Sequence, residues 1–132
     1  MSVPRSIDRS DLGGASVTLT TTAETAVLVS PSLQTPKDTS FIAMLASIAC
    51  TTGTGTTALV LRFRQGNGVA GAVIGQPYTI GNVGAAQSAG QAIMATAQVQ
   101  STDYVQWTLT AQQTAATGNG SVTAASLIAL SF

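Results

Sequence analysis

The sequence predicts an all-β protein, an antiparallel β-sandwich with a jelly roll of about eight strands and an extended N-terminal arm. The first observation is composition, because the polar residues are mostly Thr, Ser, Gln and Gly while Lys and Glu are scarce, which favours strands over helices. The second is that short apolar segments alternate at period two, separated by turns rich in Gly and Asn. The third is the absence of any segment with the length and period of a long helix.

The first 14 residues differ from the rest and predict an arm ahead of a jelly-roll domain at residues 15–132. Pro4 disfavours regular structure, and Gly13 and Gly14 end the segment with a flexible joint. A frayed terminus is the alternative interpretation. Four of the ten charged residues of the chain lie in this arm: Arg5, Asp8, Arg9 and Asp11.

The strands after the arm follow from alternation and from the turn signals between them. In chain order they are predicted at residues 17–20, 24–30, 40–51, 57–65, 70–74 continued by 78–80, 91–100, 104–112 and 121–132. Gly66-Asn67-Gly68 is a hairpin signal, because Asn and Gly tolerate positive φ. Residues 91–100 also have fair helix propensity, and their surroundings favour a strand.

Eight short strands with tight turns favour a sandwich, and the number of strands favours the jelly roll within that class. An immunoglobulin-like sandwich is the second choice. Its Cys…Trp…Cys pattern is missing, because the chain has a single cysteine, Cys50.

The third and last predicted strands are apolar on both faces, which an isolated sandwich does not require. Their second faces carry small apolar side chains without charge: Ala43, Leu45 and Ala49 on one strand, and Ala125, Leu127 and Ala129 on the other. Covering loops would explain this pattern, and so would contact with other subunits, since obligate interfaces are depleted in charge. We expect a closed homo-oligomer, a trimer, with Leu127 as a candidate interface residue.

Charge is almost absent from the second half of the chain, where Asp103 is the one charged residue between Gln65 and Phe132. Binding to nucleic acid or to anionic lipid needs a basic patch, and the five cations form none. The longest apolar stretch, residues 41–50, is shorter than the roughly 20 residues of a membrane span. The first residues do not resemble a secretory signal, so we expect synthesis in the cytoplasm.

The residue types needed for catalysis or for metal and cofactor binding are scattered or missing. With no histidine, neither a Ser-His-Asp nor a Cys-His arrangement is available. The carboxylates are far apart in sequence, and a pairing of Glu24 with Asp103 is the remote exception. Cys50 is predicted to be a small buried hydrophobic residue. We therefore expect no enzyme activity, no cofactor and no metal site.

Arg62 and Arg64 share the outward face of one predicted strand. They are interface candidates, because guanidinium groups reach carboxylates or carbonyls of a neighbour. The alternative is a solvated strand face whose cations discourage edge pairing. Trp107 alternates with apolar residues and is predicted to pack in the core, while Tyr78 and Tyr104 are candidates for exposed contacts.

The chain resembles a known family in three segments: TTGTGTTALVLRFRQ at residues 51–65, the Gly-Asn-Gly turn that follows, and the closing YVQWTLTAQQTAATGNGSVTAASLIALSF. These look like the small tumour-necrosis-factor-like jelly rolls of tailed phages, which serve as capsid decoration (cement) proteins or as head-fibre and tail-fibre domains. The similarity covers residues 15–132 and is one of pattern, with no catalytic motif shared.

The resemblance implies a trimeric virion protein on the capsid surface, bound to the major capsid protein. It implies that the arm contacts capsid or a sister subunit through Arg5, Asp8, Arg9 and Asp11. The alternative function is receptor or glycan binding by a fibre domain, through a loop such as residues 81–90.

Overall fold

The computed structural model describes residues 6–34, 39–52, 57–82, 88–100, 104–115 and 119–132. Over these residues every regular element is a strand, and no helix long and apolar enough to cross a membrane occurs among them. The strands are β1 (Ser6–Asp11), β2 (Val17–Leu19), β3 (Thr25–Val29), β4 (Leu33–Gln34), β5 (Thr39–Thr51), β6 (Leu59–Gln65), β7 (Val73–Ile80), β8 (Ala89–Gln100), β9 (Tyr104–Val105), β10 (Trp107–Gln113) and β11 (Gly120–Ser131). Arg5 and Asp103 lie outside the described residues.

The strands form two antiparallel sheets that face each other, as the sequence predicted. The five-stranded sheet has the order β1-β11-β5-β8, with β2 beside β11 next to β1, and the four-stranded sheet has the order β3-β10-β6-β7. A short ribbon of β4 and β9 is hydrogen-bonded to neither sheet, but its Leu33 and Val105 pack in the same core. The pairs are nested in sequence, since β1 pairs β11, β3 pairs β10, β5 pairs β8 and β6 pairs β7. This nesting over two sheets is the jelly roll.

The core lies between the two sheets. It is built from the inward-pointing side chains, which alternate with outward-pointing ones along each strand. The largest fully buried side chains are Trp107, Leu19, Leu33, Ile42, Met44, Leu59, Leu61, Leu109, Leu127, Gln113 and Val122. Trp107 packs against Phe63 with ring centroids 6.4 Å apart, which confirms its predicted place in the core. Residues 89–100 form one continuous strand, so the helix alternative for this region is wrong.

The predicted N-terminal arm is corrected by the structure over its described part. Ser6–Asp11 forms β1, which pairs with β11 from Ser6↔Ser131 to Asp11↔Ser126. Ser10 also donates a hydrogen bond of 3.0 Å from its hydroxyl to the Val29 carbonyl of β3. The segment is therefore an edge strand of the sandwich. Its main-chain groups pair with the side of β11 that does not pair with β5.

A β-bulge in β11 overturns the predicted faces of that strand. The register with β5 shifts between Val122 and Ala124, so Thr123 is an extra residue in the ladder. One extra residue exchanges the two faces of everything after it. Leu127 is consequently fully buried, whereas Ile128 is 44% exposed. Leu127 is a core residue, and the prediction that placed it at an interface is corrected.

The turn after β6 has the predicted glycine geometry, with Gly66 at φ 83° and Gly68 at φ 117°. The connection continues to residue 72 and folds back on the end of β6. There a Cβ atom on Gly71 would lie 1.7 Å from the Gln65 carbonyl oxygen, so only glycine fits. The Gly71 carbonyl in turn accepts a hydrogen bond of 2.8 Å from Arg64, which ties this loop to the outer face of the four-stranded sheet.

Candidate functional site: the outer face of the five-stranded sheet

The face of the five-stranded sheet that points away from the core carries a row of large side chains. Across the sheet, Arg9 is opposite Ile128 in β11, Ile128 is opposite Leu45 in β5, and Leu45 is opposite Met94 in β8. Directly opposite residues in antiparallel strands point to the same side. We call this side of the sheet the outer face.

The row next to it continues the apolar surface towards the end of β11. Ile7 is opposite Leu130, which is opposite Ala43. Beyond them Phe41 and Phe132 lie side by side with ring centroids 6.2 Å apart and planes tilted by 58°. Large apolar side chains therefore occupy one half of the outer face.

The other half of the outer face is made of small residues. Ser126 is opposite Ser47, which is opposite Ala92. A shallow depression of about 360 Å³ lies here, lined by Ser47, Ile48, Ala49, Gly90, Ala124, Ala125 and Ser126. Its lining offers hydroxyl and main-chain groups but no ionisable side chain.

These apolar side chains are exposed in the part of the chain that the structure describes. Five of the eight large exposed hydrophobic residues of the described chain lie on the outer face: Ile7 at 64%, Phe41 at 45%, Leu45 at 40%, Met94 at 58% and Ile128 at 44%. Single exposed apolar residues are ordinary, but a contiguous group of this kind indicates an interaction surface. Of these five residues, the sequence analysis named Leu45 as part of this face.

Charge on the outer face is confined to its β1 edge in the described chain. Arg9 and Asp11 form an ion pair of 3.6 Å with side chains 79% and 45% exposed. Asp8 alternates with them and so belongs to the other side of β1. Strands β5, β8 and β11 contain no charged residue. The outer face is therefore apolar with one charged rim.

The outer face of the four-stranded sheet is organised in the opposite way, around Glu24. Arg64 donates hydrogen bonds to Glu24 from Nε and, at 2.8 Å, from Nη2. Arg62 donates from Nη1 to Glu24 Oε1 at 3.1 Å and to Gln112 Oε1 at 2.7 Å. The side chains of Glu24, Arg62 and Arg64 are 12%, 20% and 21% exposed.

This network concerns the prediction that Arg62 and Arg64 contact a neighbouring subunit. Arg62 and Arg64 do share an outward face, but both reach a carboxylate of their own chain. The hydrogen bond from Arg64, with the charges of both arginines, holds the pKa of Glu24 below its ordinary value, and Glu24 raises the pKa of Arg64. Sequence reasoning missed Glu24 as their partner, because β3 and β6 meet only through β10.

The described residues hold no group of three or more His, Cys, Asp or Glu that could bind a metal ion. Cys50 is fully buried, and burial raises the pKa of its thiol, which opposes nucleophilic use. Tyr78 is 41% exposed on β7, away from the outer face.

No protein-family model matches the chain, and no curated protein matches it. Among solved structures the chain is similar to a protein of the Bacillus endospore appendages, described as a novel family of disulfide-linked pili: TM-score 0.46, 16% identity, 94% of this chain and 87% of that one. It is also similar to the EclA C-terminal domain, a sugar-binding protein: TM-score 0.47, 10% identity, 89% and 80% covered. A chain in the structure of infectious bursal disease virus strain Gx has TM-score 0.43 and 11% identity, with 96% and 29% covered. Likenesses this distant carry no argument about function.

Proposed function

We propose that the chain is a structural virion protein, a homotrimer that decorates the outer surface of a phage head and stabilises it. The observation that carries the proposal is the outer face, where exposed Phe41, Leu45, Met94 and Ile128 form an apolar surface without charge outside the β1 edge. Such a surface is typical of contacts between permanently associated subunits. The resemblance to phage decoration proteins supplies the location, at the capsid surface.

The mechanism is mass action. A protein that binds only the assembled shell lowers the free energy of that state relative to its dissociated subunits. A trimer engages several capsid subunits at once, so weak individual contacts add up to stable attachment. Contact with the major capsid protein would use the charged β1 edge, where Arg9 and Asp11 are exposed and set the orientation of binding.

The first experiment tests assembly through the outer face. Leu45 and Tyr78 are matched in exposure, at 40% and 41%, but Tyr78 lies elsewhere. We expect the wild type and Tyr78→Lys to have three times the solution mass of Leu45→Lys by light scattering, because a lysine cannot be buried unpaired in an apolar contact. Equal masses for all three proteins would show that the outer face is not part of the assembly contact.

The second experiment tests attachment to the shell. The purified protein is mixed with undecorated heads of the phage that encodes it, and the heads are pelleted. We expect co-sedimentation that is weakened in the double variant Arg9→Ala and Asp11→Ala. Failure of the intact trimer to pellet with these heads would contradict the capsid role while leaving the assembly role in place.

A further inference from the structure

The two sheets have four edges, and three of them carry features that oppose pairing with another strand. At one edge, β1 carries Asp8, Arg9 and Asp11. At another, β7 contains Pro77, Gly75 at φ 72° and a register shift against β6. At the third, β3 is only five residues long, and its register with β10 is shifted.

The fourth edge, β8, has none of these features. Its twelve residues include neither a charge nor a proline. Its register with β5 runs unbroken from Thr39↔Gln100 to Cys50↔Ala89. A long, regular and uncharged edge strand presents a row of main-chain donors and acceptors that another strand can use.

The hydrogen-bond pattern identifies which main-chain groups of β8 point outward. Phe41 and Phe132 exchange hydrogen bonds, of 3.4 and 2.9 Å, so the main chain of Phe41 faces β11. Successive residues of a strand point their main-chain groups to opposite sides, so Met44 faces β8 and bonds its partner there, Ala95. The alternate residues of β8 therefore direct their N–H and C=O groups away from β5: Ala92, Met94, Thr96 and Gln98.

A side-chain contact agrees with this assignment. The amide of Gln91 donates a hydrogen bond of 2.9 Å to the Ala92 carbonyl, which the ladder with β5 leaves available. The residues with outward main-chain groups are also those whose side chains lie on the outer face, since Met94 and Thr96 are opposite Leu45 and Ala43. The edge and the outer face therefore meet along one strand.

We propose that β8 pairs antiparallel with β8 of a second copy, about a two-fold axis perpendicular to the sheet. A second copy fits this edge because the pairing sets an uncharged strand against itself, with no like charges opposite each other. Outward residues pair with outward residues, so the outer faces of both copies lie on the same side of one continuous sheet. The contact uses main-chain groups in the plane of the sheet, whereas assembly through the outer face uses side chains perpendicular to it.

The two contacts occur in one closed assembly when their axes intersect. A three-fold axis that lies parallel to the sheet and crosses the proposed two-fold axis at right angles generates six chains with it. Blocking the outer face then leaves pairs of chains, and blocking the edge leaves trimers. Failure of this inference and failure of the proposed trimer therefore give different masses.

Thr96→Pro tests the edge, because proline removes one outward N–H that β5 does not use. Thr96→Val is the matched control, since it keeps both the N–H and the branched side chain. We expect Thr96→Pro to halve the mass measured for Thr96→Val, by sedimentation at equal concentration. Ala95→Pro removes an N–H that bonds β5 and should prevent folding, which checks the assignment of sides. An unchanged mass for folded Thr96→Pro would overturn the inference.

Hydrogen exchange of the wild type tests the same contact without any substitution. In the assembled protein the amides of Ala92, Met94, Thr96 and Gln98 should exchange as slowly as those of the central strands, because each has a partner in the second copy. Exchange at the rate of a free edge strand in a protein of unchanged mass would also overturn the inference.

Discussion

The two sheets differ in how their sides that point away from the core are covered. On the four-stranded sheet, Thr108 and Thr110 are fully buried although they lie on the outer side, opposite Arg64 and Arg62. On the five-stranded sheet, Leu45 and Ile128 in central strands remain 40% and 44% exposed. One sheet is covered by the side chains and turn of its own chain, and the other is left open.

The difference shows where the few charges of the chain are used. Glu24, Arg62 and Arg64 cover part of their sheet, and their charges are paired with one another within the chain. The outer face has no comparable cover and gains from association. The uncharged second half of the chain supplies two strands to each sheet, β7 and β10 to one and β8 and β11 to the other. The two sheets therefore differ through where the first half of the chain places its charges.

The largest expected effect on stability comes from displacing the turn after β6, which covers part of the four-stranded sheet. Gly71→Ala places a Cβ atom 1.7 Å from the Gln65 carbonyl oxygen, so the turn that holds Arg64 must move. We expect the free energy of unfolding to fall by about 3 kcal/mol, as for overpacked sites. Gly81→Ala is the control, because a Cβ there meets nothing within 4 Å. Chemical denaturation measures both, and equal stability of the two variants would contradict the prediction.

The next effect comes from removing the charge that organises the network. Glu24→Gln leaves two partly buried guanidinium groups without a carboxylate, and we expect a loss of about 2 kcal/mol. Asp11→Asn breaks an ion pair that is mostly exposed and should cost at most about 0.5 kcal/mol. Urea denaturation at neutral pH measures the loss of stability in both variants. Equal losses would contradict the prediction.

Acid should weaken the covered sheet through the same carboxylate. The pKa of Glu24 is lower in the folded protein than its ordinary value of 4.5, so below that pH the unfolded chain binds the proton more readily. The stabilisation is complete above pH 4.5 and is lost as pH falls towards the folded pKa. We expect the stability difference between wild type and Glu24→Gln to shrink over this window in denaturation curves. A constant difference would show that ionisation of Glu24 is not the source of the pH-dependent stabilisation.

The smallest effect on the folded chain is expected on the open sheet. Ile128→Thr keeps a β-branched side chain at a position that is 44% exposed, so at concentrations where the assembly has dissociated we expect a change of about 0.5 kcal/mol or less. The same variant should lower the solution mass at concentrations where the wild type is assembled. A large loss of stability in the dissociated chain would mean that the outer face supports the fold itself.

The strands of the fold could be predicted from the sequence because period-two alternation and Gly-rich turns are local signals. The faces of β11 could not be predicted beyond Val122. Both alternating sets are apolar there, Leu127 with Ala129 and Ile128 with Leu130, so composition does not reveal the bulge that exchanges them.

The candidate site was predictable in part for a related reason. The second face of β5 was identified correctly through Leu45, because that strand has no bulge against β8. Met94 was missed, since nothing local shows that β8 lies beside β5. The edge strand β1 was predicted as an arm because its pairing with β11 joins residues more than a hundred positions apart, beyond the reach of any local pattern.

The strand order also bears on how the protein is made. In each sheet the strand made last joins the first strand to a later one: β10 lies between β3 and β6, and β11 lies between β1 and β5. During synthesis the four-stranded sheet lacks its joining strand until β10 has been made, and the five-stranded sheet lacks its joining strand until β11 has been made. Completion of the sandwich therefore waits for β11, and it proceeds slowly because the contacts are distant in sequence. Until then the apolar strands are exposed and prone to associate with other chains.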